Sequence, residues 1–177
     1  MLKKHKRPAI SLIFILISLG ALLLIPQKSI GVDMFGWLKR EEVILSSPVK
    51  GKLLDGDKPL SNVTITRELT YGKEYTDKTV TDQNGNFSFP EKIIKSSKPG
   101  NMFDNDVLRQ HIYTNISGEQ NHLWMVRVYR GKANNQALTQ NLENLVCDIQ
   151  HEPQTNYVPI KDNEDSTFTI YSNCKIQ

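Results

Sequence analysis

The chain has 177 residues, enough for one domain with its own hydrophobic core beside a targeting segment, and too few for two ordinary domains. The formal charge of +3 belongs to the N-terminus: subtracting Lys3, Lys4, Lys6 and Arg7 from 22 Lys and Arg leaves 18 against 19 Asp and Glu, a net of −1 for the remainder. Balanced, interspersed charge lacks the concentrated basic surface that neutralises phosphates, so nucleic acid is not an expected partner.

Residues 9–25 form an uncharged apolar run behind the basic cluster, closed by Pro26. A basic cluster followed by an apolar run is the order of an export signal; this one exceeds the roughly 7–15 residues of a cleaved signal and reaches the roughly 17 that span a bilayer. An uncleaved signal anchor within residues 1–25 is the favoured expectation, with cleavage at Ser29-Ile30-Gly31 as the alternative. Positive residues stay in the cytoplasm, which predicts a single-pass inner-membrane protein with its C-terminal domain in the periplasm. No cysteine closes the apolar run, so lipid attachment is not expected there. A translation start at Met34 is the competing expectation and would leave the domain in the cytoplasm.

Residues 26–42 read as a linker, and residues 43–177 as one all-β domain. Val43 and Leu45 begin a period of two, and a second strand over Val49 to Leu54 runs into the turn formers Asp55-Gly56-Asp57-Lys58-Pro59. In Ser61 to Tyr71, Val63, Ile65, Leu69 and Tyr71 share one face, with Asn62, Thr64, Thr66, Glu68 and Thr70 on the other, as in a half-buried strand. Glu74 to Thr81 and Phe87 to Pro90 flank Asn84-Gly85, which predicts a hairpin because Asn and Gly accept the positive φ of tight turns. Residues 91–106 read as a long polar loop. Val107 to Asn115 and His122 to Arg130 are predicted to pair across 116–121, with Trp124, Val126 and Val128 on one face. Asn- and Gln-rich residues 132–142 are given a turn of helix. Leu145, Cys147 and Ile149 alternate in one closing strand, and Phe168, Ile170, Cys174 and Ile176 in another. Seven or eight short strands between turn clusters predict an antiparallel β-sandwich or small barrel.

Cys147 and Cys174 lie on the apolar parity of two strands and are predicted to form a disulfide if the domain is exported. Closing that loop would stabilise the fold by about 3.5 kcal/mol on the chain-entropy model. There is no Cys-x-x-Cys spacing to suggest redox catalysis.

Val49-Lys50-Gly51, Pro59-Leu60, Val63-Thr64-Ile65 and Thr81-Asp82-Gln83-Asn84-Gly85-Asn86-Phe87 occur in that order. Over residues 43–95 this pattern resembles the carboxypeptidase regulatory-like domain, a transthyretin-like β-sandwich. The resemblance implies a non-catalytic accessory or binding module, found often in envelope proteins; residues 96–177 are more elaborate than that family's remaining strands.

Candidate chemistry is sparse. Asp82-Gln83-Asn84-Gly85-Asn86 begins like a calcium loop, but Ile93 stands where the bidentate Glu belongs. Asp104, Asp106 and His111 have no recognised ligand spacing to His122 or His151, and no nucleophile elbow is present. No catalytic, cofactor or metal residues are therefore assigned. Tyr113, Trp124 and Tyr129 form a candidate partner-binding surface, although a Trp124 on the parity of Val126 and Val128 more often belongs to the core. The expected function is a non-enzymatic, membrane-tethered module that holds a protein or polysaccharide of the cell envelope. The alternative is an immunity or inhibitor protein against an envelope-acting toxin.

Overall fold

The computed structural model describes residues 40–99, 101–160 and 163–176. The basic cluster, the apolar run at 9–25, Met34 and most of the linker lie outside the described residues. No helix among those described is long and apolar enough to cross a membrane.

In chain order the elements are β1 (Glu41–Ser46), β2 (Val49–Asp55), β3 (Lys58–Pro59), β4 (Thr64–Tyr71), β5 (Lys73–Val80), β6 (Asn86–Phe89), β7 (Lys92–Ser96), β8 (Val107–Ile116), β9 (Glu119–Tyr129), α1 (Gln136–Leu142), β10 (Leu145–Asp148), β11 (Gln154–Ile160) and β12 (Asn163–Ser172). The all-β expectation holds, but there are twelve strands in three sheets among the described residues rather than seven or eight. A six-stranded antiparallel sheet runs β11-β12-β9-β8-β4-β5. A second sheet runs β10-β2-β3, with β6 also on β2, and β1 pairs with β7 in a third. One pairing departs from the antiparallel expectation: β10 lies parallel to β2.

Turn chemistry explains where sequence and structure differ. Ser117 and Gly118, with φ of 54° and 88°, join β8 to β9 in two residues, as the right-handed twist of a tight hairpin requires. Four of the six residues 116–121 are thus strand. The Asn84-Gly85 turn is also formed: Asp82 accepts from the N–H of Asn84 and of Asn86, and Gly85 sits at φ 77°. It does not make a hairpin, however. Its flanking strands belong to different sheets, since β5 pairs with β4 while β6 pairs with β2. Gly85 is packed there, because a Cβ would lie 2.6 Å from the Leu53 carbonyl oxygen.

Three strands escape the period-two reading. β3 has two residues, β7 lies in the segment read as polar loop, and β11 carries Pro159. Pro159 is tolerated because β11 is an edge strand, where a missing N–H costs no ladder bond. Helix α1 is confirmed as a short element, capped by the Asn135 side chain accepting from the Ala137 N–H at 3.0 Å.

One hydrophobic cluster joins the sheets. Ile65, Leu69, Leu108, Ile112, Trp124, Val126 and Ile170 come from the large sheet, and Val43, Leu45, Val49, Leu53, Phe87 and Leu145 from the smaller ones. Leu138 and Leu142 of α1 close it. Polar and covalent links also cross between sheets. Arg67, 0% exposed, occupies the inward position that the apolar pattern of β4 skips; it donates to Asp77 at 2.7 Å and to the Pro90 carbonyl at 2.8 Å, with its guanidinium 4.8 Å from the Phe89 ring centre. The disulfide Cys147–Cys174 ties β10 to the residues following β12, and both cysteines are buried.

Candidate functional site

The outer face of the six-stranded sheet is set by register. Opposite Glu68 on β4 stands His111 on β8, and opposite His111 stands Met125 on β9, which in turn faces Tyr171 on β12. One row further along, Thr66 pairs with Tyr113, and Tyr113 with His122. This last pairing depends on a bulge: the β8–β9 register shifts between Ile112 and Tyr113, so Ile112 faces Trp124 but Tyr113 faces His122. Leu123 is the extra residue. It turns inward beside Trp124, both 0% exposed, and His122 is delivered to the outer face.

The result is a strip of rings across three strands. His111 Nε2 lies 2.8 Å from His122 Nδ1, and the two rings stack at 5.0 Å. Tyr113 packs at 4.7 Å from His111, and Tyr171 at 6.2 Å from His122. Arg109 and Glu68 form an ion pair on the same face. Burial, with the His122 ring and the Arg109 charge beside it, pushes the His111 imidazole down from its usual value to about 4. Neutral at neutral pH, His111 can share one proton with His122, donor to acceptor. A cleft of about 190 Å³ opens beside His122, lined also by Glu119, Asn121, His151 and Tyr171.

This arrangement offers hydrogen-bond donors, acceptors and ring faces, but no nucleophile set beside a base. Among the described residues no group of three or more His, Cys, Asp or Glu could hold a metal ion. Asp82, the start of the calcium-like sequence, spends its carboxylate on the Asn84 and Asn86 amides. Asp104 accepts from Tyr71 and pairs with Lys98 at 3.4 Å, while Asp106 pairs with Arg130 at 2.6 Å; neither is in the strip with His111.

Tyr113, Trp124 and Tyr129 are not brought together. Trp124 is fully buried in the core, on the face shared with Val126 and Val128, which removes it from any binding surface. Tyr129 is 66% exposed at the far end of β9, opposite Val107. Tyr113 alone lies in the strip. The sequence reading missed His111, His122 and Tyr171 as a group. The available signal was Leu123-Trp124, two large apolar residues in succession within an alternating strand, which marks a bulge and reverses the parity before it.

Residues 49–152 match the family described as a domain of unknown function, DUF6795. No curated protein and no solved structure matches the chain. The matched segment runs from the start of β2 beyond the end of β10, containing both histidines of the strip and Cys147, and it takes in more than half of the sequence. The chain is therefore a member of the DUF6795 family.

Proposed function

We propose that the protein is a non-enzymatic, membrane-tethered binding module of the cell envelope, whose ligand lies across the outer face of the six-stranded sheet. The observation that carries this reading is the strip His111, Tyr113, His122 and Tyr171. Ring faces interleaved with polar groups on a sheet surface suit the alternating C–H faces and hydroxyls of a polysaccharide, the ligand class we favour over protein. The buried disulfide supports an oxidising compartment, and the export-like N-terminus supports the same location. The order of V-x-G, Pro-Leu and the Asp82–Asn86 turn supports kinship with carboxypeptidase regulatory-like sandwiches, which host many roles.

The test is cosedimentation of the detergent-solubilised full chain with insoluble envelope polysaccharide. Binding should be lost in His122→Ala and Tyr171→Ala and retained in Asn84→Ala at the remote turn. No cosedimentation, or equal binding by all variants, would reject the polysaccharide reading. Capture of one tight envelope protein instead would favour the inhibitor alternative.

A further inference from the structure

The edge at which the chain enters the fold has a separate character. β1 and β7 are antiparallel with Glu41 opposite Ser96, so the entry at Arg40 and the start of the loop after β7 are neighbours. Beside them is the Gly72 turn between β4 and β5. Its φ of 72° and missing Cβ leave room for Lys98, whose Cδ would lie 2.6 Å from a Cβ at that position. A concavity of about 450 Å³ results, lined by Arg40, Lys73, Lys95 and Lys98 around Tyr71 and Tyr75, with no carboxylate in its lining. Glu41, Glu42 and Glu74 are exposed at the same edge but do not line it.

The loop after β7 is braced at both ends. Asn101 N–H donates to the Lys98 carbonyl at 3.0 Å, Asp104 N–H to the Asn101 carbonyl at 2.9 Å, and Phe103 N–H to the Asn101 side chain at 3.0 Å. Asp104 is held by Tyr71 and Lys98, and Asp106 by Arg130. Its acids are thereby committed to anchoring, while Met102 and Phe103 stand side by side, each 86% exposed. Scattered exposed apolar residues need no explanation; two in succession on a braced loop next to a cationic concavity do.

We propose that this edge docks on an anionic lipid bilayer, with Met102 and Phe103 entering the interface and Arg40, Lys73 and Lys95 meeting lipid phosphates. Basic side chains near an anionic surface and apolar groups reaching the acyl boundary are the two components of peripheral membrane binding. Chain connectivity favours a bilayer as the occupant. Residues 26–39, between the apolar run and Arg40, span at most about 50 Å when fully extended. The docking rests on the tethered reading for its effective concentration, which lets a weak contact be occupied.

The experiment places an environment-sensitive fluorophore at Met102→Cys or, as comparison, Asn84→Cys, in the full chain with its native disulfide intact. Protein is mixed with vesicles of phosphatidylcholine alone or with phosphatidylglycerol, carrying nitroxide-labelled lipid, and quenching and flotation are read together. Quenching at position 102 should exceed that at 84 several-fold, should need phosphatidylglycerol, and should be lost in Phe103→Ser or in Lys73→Glu with Lys95→Glu. Flotation with both vesicle types but no excess quenching at 102 overturns the docking and leaves the tether standing. Flotation with anionic vesicles alone, with quenching at 102, supports the docking and rejects the tether. Failure to float with either overturns both.

Discussion

The six-stranded sheet and the smaller half of the fold are held together by different means. The large sheet has long ladders, up to eleven residues in β9, and the buried inward positions described are apolar apart from Arg67, Gln110, Thr114 and Ser172. The smaller sheets have strands as short as two residues and add point attachments to their share of the core: the Arg67 guanidinium on the Pro90 carbonyl, the Gln110 side chain on the Leu45 carbonyl at 2.8 Å, and the Cys147–Cys174 bond. Distributed packing leaves the outer face of the large sheet free to vary, whereas point attachments make the smaller half sensitive to single changes.

Arg67→Ala tests that contrast most severely. It removes the guanidinium hydrogen bond to the Pro90 carbonyl and leaves Asp77 with Lys92, at 2.8 Å. Removing a fully buried side chain that makes charge-assisted hydrogen bonds costs about 3 kcal/mol, so the urea midpoint should fall by the corresponding amount. A loss below about 1 kcal/mol would mean that the sheets are joined by apolar packing alone.

The His111–His122 pair gives a smaller effect with a defined pH window. Because the folded-state value of His111 lies below that of a free imidazole, folding favours the neutral ring. Its contribution is complete above pH about 6.5 and is lost as pH falls toward about 4. Equilibrium unfolding across that interval should show a decline on the order of 2 kcal/mol, and His111→Gln should flatten it. The carboxylates of Asp77 and Asp104, held below their usual range, lose their own contribution mainly at and below the foot of this window.

The smallest effect belongs to the outer face. Tyr113→Ala and Tyr171→Ala remove rings that lie outside the core cluster, and each should change stability by no more than about 0.5 kcal/mol in urea unfolding. A larger loss would make the strip a structural element rather than a binding surface.

The same contrast governs what the sequence revealed. In β4, β8 and β9 one face meets the core, so alternation exposes the strands and their inward residues, and Cys147 and Cys174 could be paired from parity. Alternation gave little warning of β3 and β11, which are short or at an edge and bury little, or of β7, whose Ile93-Ile94 sits among lysines. Pairing partners were hidden too: nothing local to Asn84-Gly85 shows that the chain changes sheets there, because that choice rests on contacts with β2 distant in sequence. The strip at His111 and His122 was obscured by one inserted residue, since a single bulge exchanges the two faces of a strand.

The central claim, an exported sandwich braced by its disulfide, is tested most directly by the state of its cysteines in the cell. Full-length protein should be taken from envelopes under alkylating conditions and examined by mass spectrometry. The account predicts a linked Cys147–Cys174 peptide pair with no alkylated thiol, and Cys147→Ser should cost about 3.5 kcal/mol of stability. Freely alkylated Cys147 and Cys174 in the native protein would contradict it and favour a cytoplasmic domain starting at Met34.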